Sequence, residues 1–204
     1  YGFQNIEAEG GWSTRSGDTT VVVSVHDSGI SGSFDGNETT VNHPDLQPNV
    51  WYGGDPSDGS VHGKNFAGDP ANLVDNTNGH GTHVTGTVAA VTNNAFGVAG
   101  TAGGNGEFAN GRGTGIRYMV IPNLGEPDAY VYAADNGAVV SQNSWGYTSP
   151  GIFPQSLQDA IDYFIDNGGG DHLDGGIVVF SAGNDSDNGD WFPAAYDPIV
   201  SVAS

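Results

Sequence analysis

The chain has 204 residues, of which 24 are Asp or Glu, four are Lys or Arg and none is Cys, and its formal net charge is -20 at pH 7. Such a surface repels phosphate backbones and anionic lipid headgroups, which argues against nucleic acid and membranes as partners. The lack of cysteine excludes disulfides, zinc–thiolate sites and a cysteine nucleophile, and the length favours one domain over residues 1–204.

Strands and helices alternate along the chain. Short apolar runs rich in β-branched residues predict buried strands at 20–25, 116–121, 138–144, 176–182 and 199–204. Helices are predicted from His80, around Asp128 and from Ser156. The last of them has the apolar spacing of one helical face, carried by Leu157, Ala160, Ile161, Phe164 and Ile165. This alternation predicts an α/β fold, with a mainly parallel doubly wound sheet and helices on both faces.

Polar and reactive residues lie where the predicted strands end. Asp27 follows the first strand, Ser144-Trp145-Gly146 ends the third, and Ser181-Ala182-Gly183-Asn184 ends the fourth. His80 lies at the start of a helix, after a glycine-rich loop. Because ligands collect at the carboxyl ends of parallel strands, we expect these residues to line one crevice.

Each motif also has a structural explanation. Asp27-Ser28-Gly29 is compatible with a strand-ending turn, and an aspartic protease would need a second such carboxylate motif, which the sequence does not offer. His80 and His83 are spaced to bind a metal from one helical face, but the Glu of an H-E-x-x-H site is missing. The segment at Asn184 is compatible with a simple turn. Taken singly, the motifs leave structural and functional roles open.

Taken together and in order, the motifs resemble those of the subtilisin-like serine peptidases, the subtilase family. The resemblance rests on "VVVSVHDSG", "NGHGTHVTGTVAA", "SQNSWG" and "VVFSAGN", and it implies hydrolysis of peptide bonds in peptide or protein substrates. It implies that His80 is the general base, that Asp27 orients it, and that Asn184 donates to the oxyanion. It makes His83 a packing residue. The implied substrate-binding residues are Ser144, Trp145, Gly146, Ser181, Ala182 and Gly183.

The resemblance also implies a structural calcium ion and a secreted protein. "HPDL" contains Asp45, and "TNNAFGVAG" contains Asn94. Both are implied as calcium ligands, because hard oxygen donors suit this ion.

Two features depart from the family pattern. His26 stands where the family usually has an aliphatic residue, and it is expected either to bind a neighbouring carboxylate or to pack. No serine lies in the Gly-Thr-Ser-x-Ala-x-Pro context of the family nucleophile. We therefore expect residues 1–204 to be an incomplete peptidase domain that is inactive alone, with the serine on a C-terminal segment or a second chain.

Two other functions compete with this hypothesis. A pseudopeptidase would bind peptides without cutting them. An acidic, calcium-dependent adhesion module would explain the loops rich in Asp, Gly and Asn, but it predicts loops repeated at a fixed period, and the sequence has none. It also leaves the order of the four motifs unexplained.

Overall fold

A computed structural model describes residues 2–31, 43–74, 79–122, 124–185 and 189–203. The helices are α1 (Gly2–Asn5), α2 (Ala8–Trp12), α3 (His80–Ala89), α4 (Pro127–Asp135) and α5 (Gln155–Asn167), with a 3-10 turn at Gln47–Asn49. The strands are β1 (Val22–His26), β2 (Phe108–Ala109), β3 (Arg112–Gly113), β4 (Arg117–Ile121), β5 (Ala138–Asn143), β6 (Ile177–Ser181) and β7 (Val200–Val202). Each predicted strand is present, with its ends shifted by at most two residues.

Five strands form one sheet in the order β4-β1-β5-β6-β7, and all neighbouring strands run parallel. The prediction of a mainly parallel α/β sheet is therefore confirmed, while the small antiparallel pair β2-β3 was not predicted. The chain passes from β1 to β4 on one side and then returns to β5 on the other. At such a reversal of strand order, a crevice opens outside the carboxyl ends of the strands.

The sheet buries apolar side chains on both faces. Successive strand residues point to opposite sides, and in β4 Met119 and Ile121 pack with the helices α4 and α5. Their neighbours Tyr118 and Val120 pack in a second core that includes the end of α3. Helices therefore lie on both faces, as the continuously apolar strands predict.

The helix α5 has the most regular apolar spacing, and its interior face is the predicted one, with Leu157, Ala160, Ile161 and Phe164 buried. Burying each of the large side chains contributes about 1.5–3 kcal/mol. The helix begins at Gln155, one residue before the predicted start at Ser156. The helix predicted around Asp128 is α4, which begins at Pro127, a favoured first helical residue. No helix in the described part of the chain is long and apolar enough to cross a membrane.

The helix α3 is buried along one side only, at Gly81, Thr85, Gly86 and Ala89. His83 and Thr87, one turn apart on the same helical face, are exposed. In the described chain these two residues line a groove that Val23 and Val140 of the sheet also line, and the packing role expected of His83 stays a prediction.

Candidate active site

The carboxylate of Asp27 and the imidazole of His80 are in direct contact. The Asp27 side chain, which follows β1, is 5% exposed, whereas the His80 side chain at the start of α3 is 52% exposed. The Nδ1 atom of His80 lies 2.7 Å from the Oδ1 atom of Asp27. An ionised carboxylate only accepts hydrogen bonds, so Nδ1 is the donor and Nε2 carries the basic lone pair. The pair holds the imidazole in the tautomer of a general base.

Two hydroxyl groups connect the end of β1 to the start of α3. The Ser28 N–H donates to Oδ1 of Asp27 at 2.8 Å, and the Ser28 hydroxyl accepts the Gly81 N–H at 2.9 Å. The Thr82 hydroxyl accepts the Ser31 N–H at 2.6 Å. These bonds fix the approach of two segments that are distant in sequence. Sequence analysis missed this role of Ser28, for which the only signal is its place in the Asp-Ser-Gly motif.

Two glycines of the His80 motif are required by this geometry. Gly79, which precedes α3, has φ 72°, in the left-handed region that glycine adopts most readily. A side chain at Gly81 would collide with the carbonyl oxygen of Gly29, and its Cβ would lie 3.1 Å from Oδ1 of Asp27. The glycine next to His80 therefore permits the close contact between His80 and Asp27.

A cavity of about 360 Å³ lies where β5 and β6 end. It is lined by all seven of the predicted substrate-binding and oxyanion residues, namely Ser144, Trp145, Gly146, Ser181, Ala182, Gly183 and Asn184. Aromatic residues Tyr147, Trp191 and Phe192 complete much of its wall. This volume falls within the roughly 300–1,000 Å³ that is usual for ligand sites.

The cavity is close to Asp27 in the sheet. His26 and Asn143 are partners in the parallel register of β1 and β5, so Asp27 and Ser144 leave adjacent strands side by side. A groove of about 430 Å³ also runs along α3 and shares Ser144 with the cavity. Most of its lining is apolar, including Val23, Val84, Val88, Ala102 and Val140.

The predicted calcium ligands Asp45 and Asn94 lie together at the other end of α3. Nδ2 of Asn94 donates to one carboxylate oxygen of the buried Asp45 at 2.7 Å, and the Val98 N–H donates to the other at 2.8 Å. The Asn94 side-chain oxygen accepts the Phe96 N–H at 3.0 Å. Asn94 thus turns its NH2 group rather than its oxygen toward Asp45, so the two residues as placed do not present converging oxygen ligands and do not fit the ion.

Elsewhere in the described ranges, no group of three or more His, Cys, Asp or Glu side chains could hold a metal ion. The calcium site stays a prediction.

Comparison with known proteins places these motifs in a family. The sequence pattern of the subtilase family matches residues 18–204. The whole chain is 32% identical to thermitase from Thermoactinomyces vulgaris, of which it covers 61%. It is 34% identical to the halolysin-like extracellular serine protease Nep from Natrialba magadii, of which it covers 33%. The chain thus spans less than two thirds of the length of these relatives.

A third relative, a calcium-dependent protease from Trichormus variabilis, is 34% identical over 134 residues, which are 55% of this chain and 20% of that protein. Among solved structures, MycP1 from Mycobacterium smegmatis aligns with a TM-score of 0.63 and 18% identity, and the alignment covers 98% of this chain and 55% of the MycP1 chain. The prenylagaramide maturation protease PagA aligns with a TM-score of 0.59 and 19% identity, and that alignment covers 95% of this chain and 57% of the PagA chain. These alignments support the same fold.

Proposed function

This chain belongs to the subtilase family, and we propose that it supplies the general base, its orienting carboxylate and the oxyanion donor of a serine endopeptidase. The observation that carries the proposal is the 2.7 Å contact between His80 Nδ1 and Asp27 Oδ1. It joins a buried carboxylate to a half-exposed imidazole at the point where the strand order reverses.

In the proposed reaction, Nε2 of His80 takes the proton of a serine hydroxyl as its oxygen attacks the peptide carbonyl carbon. His80 then gives this proton to the leaving amine, the C–N bond breaks, and water hydrolyses the acyl-enzyme by the same route. Asp27 remains ionised and stabilises the imidazolium. The Asn184 side chain, in the cavity wall, donates a hydrogen bond to the oxyanion.

The serine is proposed to come from outside residues 1–204, on a C-terminal segment of the natural protein or on a second chain. The Ser28 hydroxyl contacts Asp27 and Gly81, and the Ser144 hydroxyl accepts from Nε2 of Gln142 at 3.0 Å, so both have other roles. The apolar groove beside α3 supports the proposal, since a segment packed there would lie along the helix that begins at His80. On this proposal, the 204 residues alone have negligible activity.

Peptides or proteins are the proposed substrates, and the domain is proposed to be secreted, as the name of the relative Nep states for that protein. Binding of calcium by Asp45 and Asn94 is supported by the name of one relative but not by the hydrogen bonds of these residues.

A second candidate is a peptide-binding pseudopeptidase. It is favoured by the cavity, because the residues that line it all belong to the chain described here and binding does not require a serine nucleophile. The two candidates differ in whether any serine becomes reactive.

A fluorophosphonate probe tests this difference. The natural protein is incubated with the probe, and the labelled residue is located by mass spectrometry after digestion. We expect one labelled serine outside residues 1–204, no label in His80→Ala, and full label in the control His172→Ala, whose histidine is exposed after α5. A folded natural protein without label would exclude the peptidase and leave the peptide-binding function. A label on Ser28 or Ser144 would refute the proposed source of the serine.

A further inference from the structure

Asn143, the last residue of β5, is a fully buried amide that directly precedes the substrate-binding segment. Its side-chain oxygen accepts the Tyr130 hydroxyl at 2.6 Å and the indole N–H of Trp145 at 3.3 Å. Its Nδ2 donates to the Val179 carbonyl oxygen at 3.1 Å and lies 2.9 Å from the Ser141 hydroxyl. Both lone pairs and both N–H groups are used, which fixes one orientation of the amide.

Tyr130 connects this amide to the strand that carries Asp27. Its ring stacks on His26 with the centroids 4.4 Å apart and the planes at 19°. Burial lowers the pKa of His26 to about 3, so this ring is neutral at ordinary pH, and its Nε2 lies 3.2 Å from the Ser24 hydroxyl. His26 is thus a packing residue. Burial also raises the pKa of Tyr130 well above its ordinary value, so the hydroxyl is always available as a donor.

Trp145 forms part of the cavity wall and receives its orientation from this network. Its ring meets Phe180 and Tyr147 edge to face, with centroid distances of 5.3 and 5.9 Å. Such apolar contacts tolerate rotation and sliding, whereas the hydrogen bond from its N–H to Asn143 sets the direction of the indole plane.

We propose that Tyr130 and Asn143 are positioning residues that hold Trp145 as a rigid wall of the substrate cavity. The wall would select peptides that place a large apolar side chain in the cavity, because Trp145, Tyr147 and Phe192 offer aromatic surface to it. The inference rests on the proposed function for its substrate.

The test compares Tyr130→Phe with Tyr132→Phe in the natural protein. Tyr132 lies in the same helix, but its hydroxyl points to the Ser60 carbonyl oxygen at 3.5 Å, away from the cavity. The probes are two tetrapeptide amide substrates that differ only in the residue placed in the cavity, which is Phe or Ala.

We expect Tyr130→Phe to lower kcat/KM for the Phe peptide about tenfold, mainly through a higher KM. The same variant should lower kcat/KM for the Ala peptide by less than about twofold. The control Tyr132→Phe leaves the ratio of the two peptides unchanged. An equal loss for both peptides, together with a lower Tm, would mean that Tyr130 is only structural and would overturn the proposal.

A double-mutant cycle tests whether Tyr130 acts on the cavity through the indole of Trp145. Trp145→Phe removes the N–H donor, so adding Tyr130→Phe to it should cost little further preference for the Phe peptide. Fully additive losses would show that Tyr130 acts elsewhere and would also overturn the proposal.

Binding of the same peptides, followed by tryptophan fluorescence, separates this inference from the peptidase proposal. If the natural protein binds peptides but cuts none, the peptidase proposal fails, and the inference is judged on the affinity ratio. A ratio that falls in Tyr130→Phe and not in Tyr132→Phe supports it, and a ratio unchanged in both overturns it.

Discussion

Two buried aspartates lie at opposite ends of α3, and they have different surroundings. At the start of the helix, Asp27 directs one oxygen to the half-exposed ring of His80. At its end, both oxygens of Asp45 accept from N–H groups of the 94–98 loop. The Asp45 carbonyl oxygen also accepts the Val91 N–H at 2.9 Å.

The difference shows what separates a carboxylate placed to support catalysis from one that holds a loop. Asp27 contacts an imidazole that reaches solvent, and an imidazole is a group that can take up and release a proton. Both oxygens of Asp45 accept from amide N–H groups, so in this arrangement the carboxylate stabilises the loop. Burial alone would not distinguish them, because both side chains are inaccessible.

The largest expected effect comes from breaking the pair at the start of α3. In the natural protein, His80→Ala should lower kcat about 10⁶-fold and Asp27→Asn about 10⁴-fold, because the base and its orienting group are lost. Both are measured with a peptide substrate, with Tm as a check of folding and His172→Ala as the control. A loss below about tenfold in either variant would refute the assigned roles.

Replacing Asp45, at the other end of α3, should change stability rather than activity. Asp45→Ala removes two charge-assisted hydrogen bonds from a fully buried side chain, so we expect the free energy of unfolding to fall by about 3 kcal/mol. Urea denaturation measures the loss, and Asp69→Ala, at an exposed turn, should cost less than about 1 kcal/mol. Activity per folded molecule should be unchanged in Asp45→Ala, and a selective loss of activity would contradict the comparison.

A smaller, pH-dependent effect is expected at His26, which directly precedes Asp27 but is fully buried. Its pKa is lowered from 6.5 to about 3 by burial, so the unfolded chain binds the proton first as the pH falls. Its contribution to stability is therefore complete above pH 6.5 and is lost between pH 6.5 and about 3, by at most about 1.4 kcal/mol per unit.

Urea unfolding at several pH values measures this slope. In His26→Phe, which keeps an aromatic ring against Tyr130, the slope should be smaller by this amount. Identical slopes in the parent protein and His26→Phe would rule out a buried neutral His26.

The smallest effect is expected from removing calcium. With both oxygens of Asp45 satisfied by N–H groups, a chelator should shift the Tm of the natural protein by less than about 2 °C, which corresponds to under 1 kcal/mol. Scanning calorimetry with and without EGTA measures it. A larger fall that is absent in Asp45→Ala would instead support the predicted calcium site and show that the loop rearranges around the ion.

Sequence patterns predicted those features that depend on local periodicity or on the ends of strands. The apolar strands predicted the sheet, and the position of Asp27 and Ser144 at the ends of two of them predicted that both lie at the same edge of the sheet. The hydrogen bonds of Ser28, Thr82 and Asn143 could not be predicted, because they join segments whose relative placement is set by tertiary packing.

The surroundings of His83 could not be predicted for the same reason. The spacing shows that the residue lies on a helix but not which side of that helix is covered, and in the described chain His83 is exposed.

The steric contact between Gly81 and Gly29 has a consequence for protein engineering. Residues 27–31 and 79–82 pack closely against each other, so a library that randomises only one of these segments will mostly contain variants in which the two segments clash. Variants or grafts of this region should therefore exchange both segments together, even though more than 45 positions separate them along the chain.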